Sequence, residues 1–270
     1  MQPQRLPTIS IITPSYNQGR YIEQTLGSVR DQDLVAEHIV MDGGSTDGTV
    51  AILGRHPHLI WRSEKDDGQA DALNKGLALA SGEIIGWVNS DDWYVPNILG
   101  SVAAHFAKTS ASWVVGNLAD VFEEDPNVRF RRSPAVTFDA LARNPDIVRQ
   151  QPTFFRRELL LAAGGWNKRC HMAMDYDLWI RLSRLAPPLM VDENWAYFRN
   201  HAAQKTGQAN ILRQSREITA ILRREGVAGH RIAAHAARKR WYWLKGSVKQ
   251  RLVAAGLVPE RYRTRPLRQP

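Results

Sequence analysis

The residues best equipped for chemistry stand together in Val88-Asn89-Ser90-Asp91-Asp92-Trp93. Two adjacent carboxylates, preceded by an amide and a hydroxyl, follow Glu83-Ile84-Ile85-Gly86-Trp87-Val88, a run with the composition of a buried strand. In an open α/β sheet ligands bind beyond the carboxyl ends of the strands, so acids placed there face a crevice rather than the core. Neighbouring carboxylates repel unless a cation lies between them and the ligand, and hard oxygen donors suit Mg²⁺ or Mn²⁺. A metal–diphosphate site is one reading of the pair. The other is a turn or helix cap, a common use of acidic residues after a strand.

The elements that must position this pair can be read from the periodicity. Thr8 to Thr13 is rich in β-branched residues and is ended by Pro14, as a first strand would be. After the loop Ser15-Tyr16-Asn17-Gln18-Gly19, the spacing of Ile22, Leu26 and Val29 predicts an amphipathic helix. His38 to Met41 is a second strand running into Asp42-Gly43-Gly44-Ser45-Thr46-Asp47, with Ser45 or Thr46 as a candidate cap for a short helix through Ile52 and Leu53. Leu59 to Trp61 is a third strand, and Ala70, Leu73, Leu77 and Ala80 mark a third helix. The first 92 residues therefore alternate β and α, which predicts a mostly parallel, Rossmann-like sheet with helices on both faces. Tyr16-Asn17, Asp42 and Asp91-Asp92 then share one rim of that sheet.

Further along, a helix passes through Ile98, Val102 and Phe106, and Trp113 to Leu118 is a strand. Residues 123–146 are polar and punctuated by proline, which predicts a flexible excursion with a short helix around Phe138 to Leu141. Gln150 to Phe155 is extended, Glu158 to Ala163 helical, and Gly164-Gly165 its stop. Met174 to Leu185 is helical, and Leu189 to Val191 and Trp195 to Phe198 give two final strands. Beyond Asn210 the chain predicts basic helices.

The net charge of +9 is concentrated at one end. Residues 207–270 carry 15 Lys and Arg against 3 Asp and Glu, whereas the preceding 206 carry 21 against 24. This predicts a body of residues 1–206 and a basic helical extension, 207–270, that meets a polyanionic surface. Cys170 is the only cysteine, which excludes an intramolecular disulfide or a cysteine-based zinc cluster and points to a reducing compartment. No apolar run approaches the length of a membrane span.

The ordered set of motifs resembles the family 2 inverting glycosyltransferases of the GT-A fold, from about Pro7 to Thr206. The set comprises Pro14-Ser15-Tyr16-Asn17; Asp42 with Gly44-Ser45-Thr46-Asp47; Asp67 and Gln69 ahead of Asn74-Lys75-Gly76; Asn89-Ser90-Asp91-Asp92; and Met174-Asp175-Tyr176-Asp177-Leu178-Trp179. Two positions depart from the family pattern. Asn89 stands where Asp is usual, and Met174 where many members have Glu. The first departure leaves metal ligation mostly to Asp91, and the second puts acceptor orientation by that Glu in doubt.

The resemblance implies a nucleotide-diphosphate sugar donor, UDP-sugar by family habit, and a saccharide acceptor, including lipid-linked ones, in cell-surface polysaccharide or glycoconjugate synthesis. It implies Asp175 as the base, Mn²⁺ or Mg²⁺ at Asp91 with His201, and Pro14, Tyr16, Asn17, Asp42, Asp67, Gln69, Asn74, Lys75, Asn89, Ser90 and Asp92 around the donor. Asp92 is expected on sugar hydroxyls or metal-bound water, and Arg199, His201 and Lys205 over the diphosphate. Gln151, Trp93 and Trp166 are expected on the acceptor side, since aromatic faces pack on sugar rings. Residues 1–118 are then the donor half and 119–206 the acceptor half. The tail, with Arg231 to Lys245 combining cations with the aromatic cluster Trp241-Tyr242-Trp243, suits either a helix in the interface of an anionic membrane, hence a cytoplasmic protein peripheral on the inner face with no nucleic acid partner, or a helix pair packed on the body with its charged face solvated. Two other readings stand beside this one: a non-catalytic binding protein on the same fold, and a sugar-phosphate nucleotidyltransferase.

Overall fold

The computed structural model describes residues 5–122, 125–201, 204–205 and 207–257. Its first half alternates as expected: β1 (Ile9–Ser15), α1 (Ile22–Arg30), β2 (Glu37–Asp42), α2 (Thr49–Leu53), β3 (Ile60–Ser63), α3 (Gln69–Leu79) and β4 (Ile84–Trp87). The second half holds β5 (Trp93–Tyr94), α4 (Leu99–Lys108), β6 (Trp113–Phe122), β7 (Asp125–Arg131), α5 (Phe138–Arg143), β8 (Thr153–Arg156), α6 (Arg157–Ala162), α7 (Met174–Leu185) and β9 (Leu189–Asn200). A 3₁₀ turn at Gln208–Asn210 leads into α8 (Ile211–Arg224) and α9 (Gly229–Ala254).

These strands form one sheet in the order β3-β2-β1-β4-β8-β6-β9-β5, with β7 on β6. The β3-β2-β1-β4 half is parallel. Beyond β4 the sheet is mixed: β8 runs antiparallel to both β4 and β6, while β9 is parallel to β6. Successive residues of the strands face opposite ways. Ile12, Ile85, Trp113 and Phe155 enter one core, with α3, α5, α7 and α8, and Ile11, Ile84, Val114 and Phe154 enter the other, with α4. Tandem apolar pairs in the sequence thus mark strands buried on both faces.

Three expectations change. Within 123–146, β7 pairs antiparallel with β6, because the backbone of an outer strand finds its hydrogen bonds on that edge whatever its side chains. Pro126 is tolerated in such an edge strand. The two final strands are one, β9, whose polar interruption at Asp192-Glu193-Asn194 is absorbed by register shifts against Val115, Asn117 and Leu118. Finally, the charge boundary near Gly207 is no break in packing: Ile218, Ile221 and Leu222 of α8 and Ile232 of α9 lie in the same core as Tyr176 and Trp179. Asp177, fully buried on α7, is held by Arg181 at 2.8 Å and by Arg224 of α8 at 2.6 Å.

Candidate active site

Parallel pairing aligns the ends of β2, β1 and β4, with Ser15 opposite Asp42 and Ile12 opposite Trp87. The chain leaves β1 toward β2 and returns through β3 to β4 on the other side, so the crevice opens at the switch point beside β1. Two loops are stitched across it. The Asn17 amide donates to Ser45 Oγ at 2.7 Å, and Thr46 N–H donates to Asn17 Oδ1 at 2.9 Å, with Asn17 in the left-handed region at φ 52. Asp42 is buried, and its carboxylate accepts from Gly44 N, Ser45 N, Ser45 Oγ and Ser63 Oγ. Tyr16, just past β1, is 62% exposed, and Pro14 lies buried within β1.

The acidic turn divides its two carboxylates between solvent and core. Asp91 keeps an exposed edge, its side chain 21% accessible. Asp92 is 1% accessible and fully engaged: Gln151 Nε2 donates to it at 2.7 Å, Asn89 Nδ2 at 3.3 Å and the Arg199 N–H at 3.0 Å. Burial and the neighbouring Asp91 charge push its carboxyl well above the usual range. These bonds make Asp92 an anchor of the turn, with its carboxyl directed to protein partners. Gln151, expected on the acceptor side, is likewise buried beneath the turn as that anchor's partner.

Asn89 is the hub. Its Oδ1 accepts from Gln69 Nε2 at 2.7 Å and Trp87 Nε1 at 2.9 Å, while its Nδ2 donates to Asp92 and, at 3.1 Å, to Gln150 Oε1. A carboxylate could not make the last two bonds. Ser90 is buried beside it.

The end of β9 faces this turn. His201 Nε2 lies 3.1 Å from Asp91 Oδ2, and Arg199 donates to the Asp91 carbonyl at 3.0 Å. The Arg199 guanidinium lies over the rings of Tyr21, at 4.8 Å, and Trp93, at 4.5 Å, and Trp93 stacks on Tyr197. Lys205 donates to Gln69 Oε1 at 3.2 Å, so Gln69 links the β9 end to Asn89.

Asp175 opens α7 and is half-buried, its Oδ1 accepting from Tyr176 N–H at 2.8 Å. Burial raises its carboxyl above the ordinary range, Asp146 adds to this, and Lys205 opposes it. Met174 is buried in the core, so no side chain replaces the family's usual Glu on the open side. Just ahead of α7, the N–H groups of Met172 and Ala173 donate to Glu217 of α8 at 2.7 and 3.0 Å. That carboxylate, which ties the segment ahead of α7 to the basic extension, has no signal in the sequence beyond its place on a helix.

Other expected residues have partners within the fold. Asn74 grips the Trp166 backbone at both ends, donating to its carbonyl at 2.7 Å and accepting from its N–H at 2.9 Å. Trp166, expected on the acceptor side, is buried edge-on against Trp87 in the core. Lys75 pairs with Glu64 at 2.9 Å and Asp71 at 3.3 Å. Asp67 is 82% exposed near Lys168.

Among the described residues no group of three His, Cys, Asp or Glu forms a closed metal cage. Asp91 and His201 nevertheless offer one hard oxygen and one imidazole nitrogen. Mg²⁺ and Mn²⁺ are commonly held by so few protein ligands when diphosphate oxygens and water complete the shell, and the nitrogen favours Mn²⁺ of the two.

A family model described as glycosyl transferase family 2 matches residues 10–174. An uncharacterized glycosyltransferase of Mycobacterium tuberculosis H37Rv is 32% identical over 194 residues, covering 68% of this chain and 72% of that protein. The chondroitin synthase of Pasteurella multocida Pm70 is 29% identical over 196 residues, covering 67% of this chain but only 19% of the synthase. Staphylococcus aureus TarS 1–349, solved in complex with UDP-GlcNAc, superposes with a TM-score of 0.64 at 17% identity, over 94% of this chain and 77% of that one. The mannosyltransferase PcManGT of Pyrobaculum calidifontis, solved with GDP-Man and Mn²⁺, gives 0.61 at 21% identity, over 93% and 76%. At these identities the two structures speak for the fold.

Proposed function

The chain belongs to glycosyl transferase family 2, and on that premise we propose an inverting transfer of a sugar from a nucleoside-diphosphate sugar to a saccharide acceptor. The observation that carries the reading is the division of the acidic turn, with Asp92 locked in the core and Asp91 turned outward against His201. Residues 1–118 hold the donor. Tyr16 offers an exposed ring for the base, and Asn17, Asp67, Gln69 and Lys205 are assigned to the donor, with Lys205 bonded to Gln69. Uridine is favoured, since TarS was solved with UDP-GlcNAc, although PcManGT was solved with GDP-Man.

Asp175 accepts the proton of the acceptor hydroxyl in the half formed by residues 119–206. The oxygen attacks the anomeric carbon from the face opposite the diphosphate, and the sugar–phosphate bond breaks with its electron pair leaving on the nucleoside diphosphate. A carboxyl raised above the usual range is a stronger base than a free one, which suits this task near neutrality. Asp91 and His201 would hold a divalent cation, which supplies positive charge beside the departing diphosphate. The acceptor is a polysaccharide or glycoconjugate, including a lipid-linked one. A reducing, cytoplasmic setting is part of this reading, in keeping with a single, buried cysteine, Cys170.

Calorimetric titration with UDP, GDP and dTDP, each with Mn²⁺ and again with EDTA, tests the reading. Binding of one nucleotide that requires the metal is expected; a folded chain that binds none would overturn it.

A further inference from the structure

Helix α9 presents two unlike faces. Its inner face buries Ile232, His235, Lys239, Gly246 and Val253. Lys239 Nζ lies 2.8 Å from Asp146, and Arg231 lies 2.5 Å from Asp139, so the helix is fixed in rotation. Opposite them, Trp241, Leu244, Val248 and Leu252 are 48%, 50%, 55% and 37% exposed. Steps of three, four and four residues set them in one row along the helix. Such a row, with tryptophan and three aliphatic side chains, stands outside every core of the described residues.

Cations border the row. Arg240 and Arg251 lie along one edge and Lys245 along the other, all exposed, and the Lys245 ammonium sits 3.7 Å from the Trp241 ring centroid. From Gly229 to Ala254 the helix carries seven Lys and Arg and no Asp or Glu. No helix of the described residues is long and apolar enough to cross a membrane.

We propose that this outer face of α9 docks on the surface of an anionic lipid bilayer, the Trp241–Leu252 row entering the headgroup region and the bordering cations meeting lipid phosphates. Aliphatic side chains gain from entering the acyl boundary, tryptophan prefers headgroup depth, and each basic residue near an anionic leaflet adds to the attraction. A second copy of the chain fits poorly, because it would oppose two helices bearing only positive charge. Nucleic acid would satisfy the cations yet leave the aliphatic row without a partner. The proposal stands independently of the transfer reading. It also places the lipid surface on the far side of the helix whose inner face holds Asp146, the acid that acts on Asp175.

The test is flotation of the full chain with vesicles. Ending the chain near Gln208 is unsuitable, because it removes Ile218, Ile221 and Leu222 from the core. The wild-type chain is expected to float with mixed phosphatidylglycerol and phosphatidylcholine vesicles, to remain behind with phosphatidylcholine alone, and to release as salt rises. Combined Trp241→Ser, Leu244→Ser and Val248→Ser should lower partition by roughly tenfold or more with an unchanged thermal melt. Should that variant melt early, Arg240→Gln, Lys245→Gln and Arg251→Gln together decide the matter, since they replace exposed polar side chains. Flotation no greater with anionic than with neutral vesicles overturns the proposal. So does a folded surface variant that floats like wild type, or a lipid-free dimer in sedimentation velocity that the same substitutions abolish while flotation persists. No readout here needs a donor or acceptor, so failure of the transfer reading would not mimic failure of this one.

Discussion

The Asn89 side-chain amide donates to the buried Asp92 carboxylate across 3.3 Å, and the same nitrogen reaches Gln150 at 3.1 Å. Read as a departure from an acidic motif, Asn89 is a lost charge. In place, it is the donor that a raised, buried carboxyl needs. Asn89→Asp should therefore destabilise the chain by about 3 kcal/mol in urea unfolding, since it puts a second carboxylate beside Asp92 and leaves Gln150 without its donor. Tighter Mn²⁺ binding at unchanged stability would show instead that position 89 is a ligand the native chain lacks.

Asp175→Asn removes the proposed proton acceptor while keeping shape. Transfer should fall by roughly 100-fold or more, with nucleotide affinity near wild type, as single-turnover kinetics and calorimetry would show. Because burial holds the Asp175 carboxyl above its free value of 3.8, the acid limb of the rate profile should lie above that pH. Stability follows the same linkage with its own sign. Between 3.8 and the folded value the folded chain keeps a proton that the unfolded chain releases, so stability falls as pH rises through that window. The asparagine variant should thus melt higher than wild type at neutral pH, and the difference should vanish below 3.8. Equal melting at both pH values would mean that the carboxyl is not raised by the fold.

Much of this site could be read before its geometry was known, because strand ends and loops are written in local pattern. The parallel β3-β2-β1-β4 half, the Tyr16, Asp42 and Asp91 rim, and Asp175 at the start of α7 all follow from apolar runs, glycine-bearing loops and helical spacing. What stayed hidden was decided by distant partners. Asp91 and Asp92 are adjacent in sequence, yet only Gln151, from 59 residues away, and Arg199, from 107, determine which one is buried. Asn74 belongs to a familiar motif but is spent on Trp166, 92 residues on. The basic composition after Gly207 masked Ile218, Ile221 and Leu222, whose three-, one-residue spacing is that of a buried helix face.

His201→Ala tests the outward side of the acidic turn. Loss of the imidazole 3.1 Å from Asp91 should weaken Mn²⁺-dependent nucleotide binding on the order of tenfold while leaving binding in EDTA unchanged, and Asp91→Asn should erase the difference between the two conditions. Calorimetry with and without metal separates these. If His201→Ala weakened both conditions equally, the ring would be holding the loop rather than a cation.

The pairing of Lys239 with Asp146 makes a last distinction, between a helix that rests on the body and one that is part of it. Both side chains are largely shielded, at 8% and 21% accessibility, so removing one partner strands the other charge. Lys239→Met should cost about 3–5 kcal/mol, and Lys239→Met combined with Asp146→Asn should recover most of that loss, because a buried pair contributes little beyond offsetting its own desolvation. The recovery is informative for the site as well. The Asp146 charge adds to the burial that raises the Asp175 carboxyl, so the double variant should shift the acid limb of the transfer profile toward lower pH. A double variant as unstable as Lys239→Met alone would show that the lysine's aliphatic stem, rather than its charge, holds α9 in place.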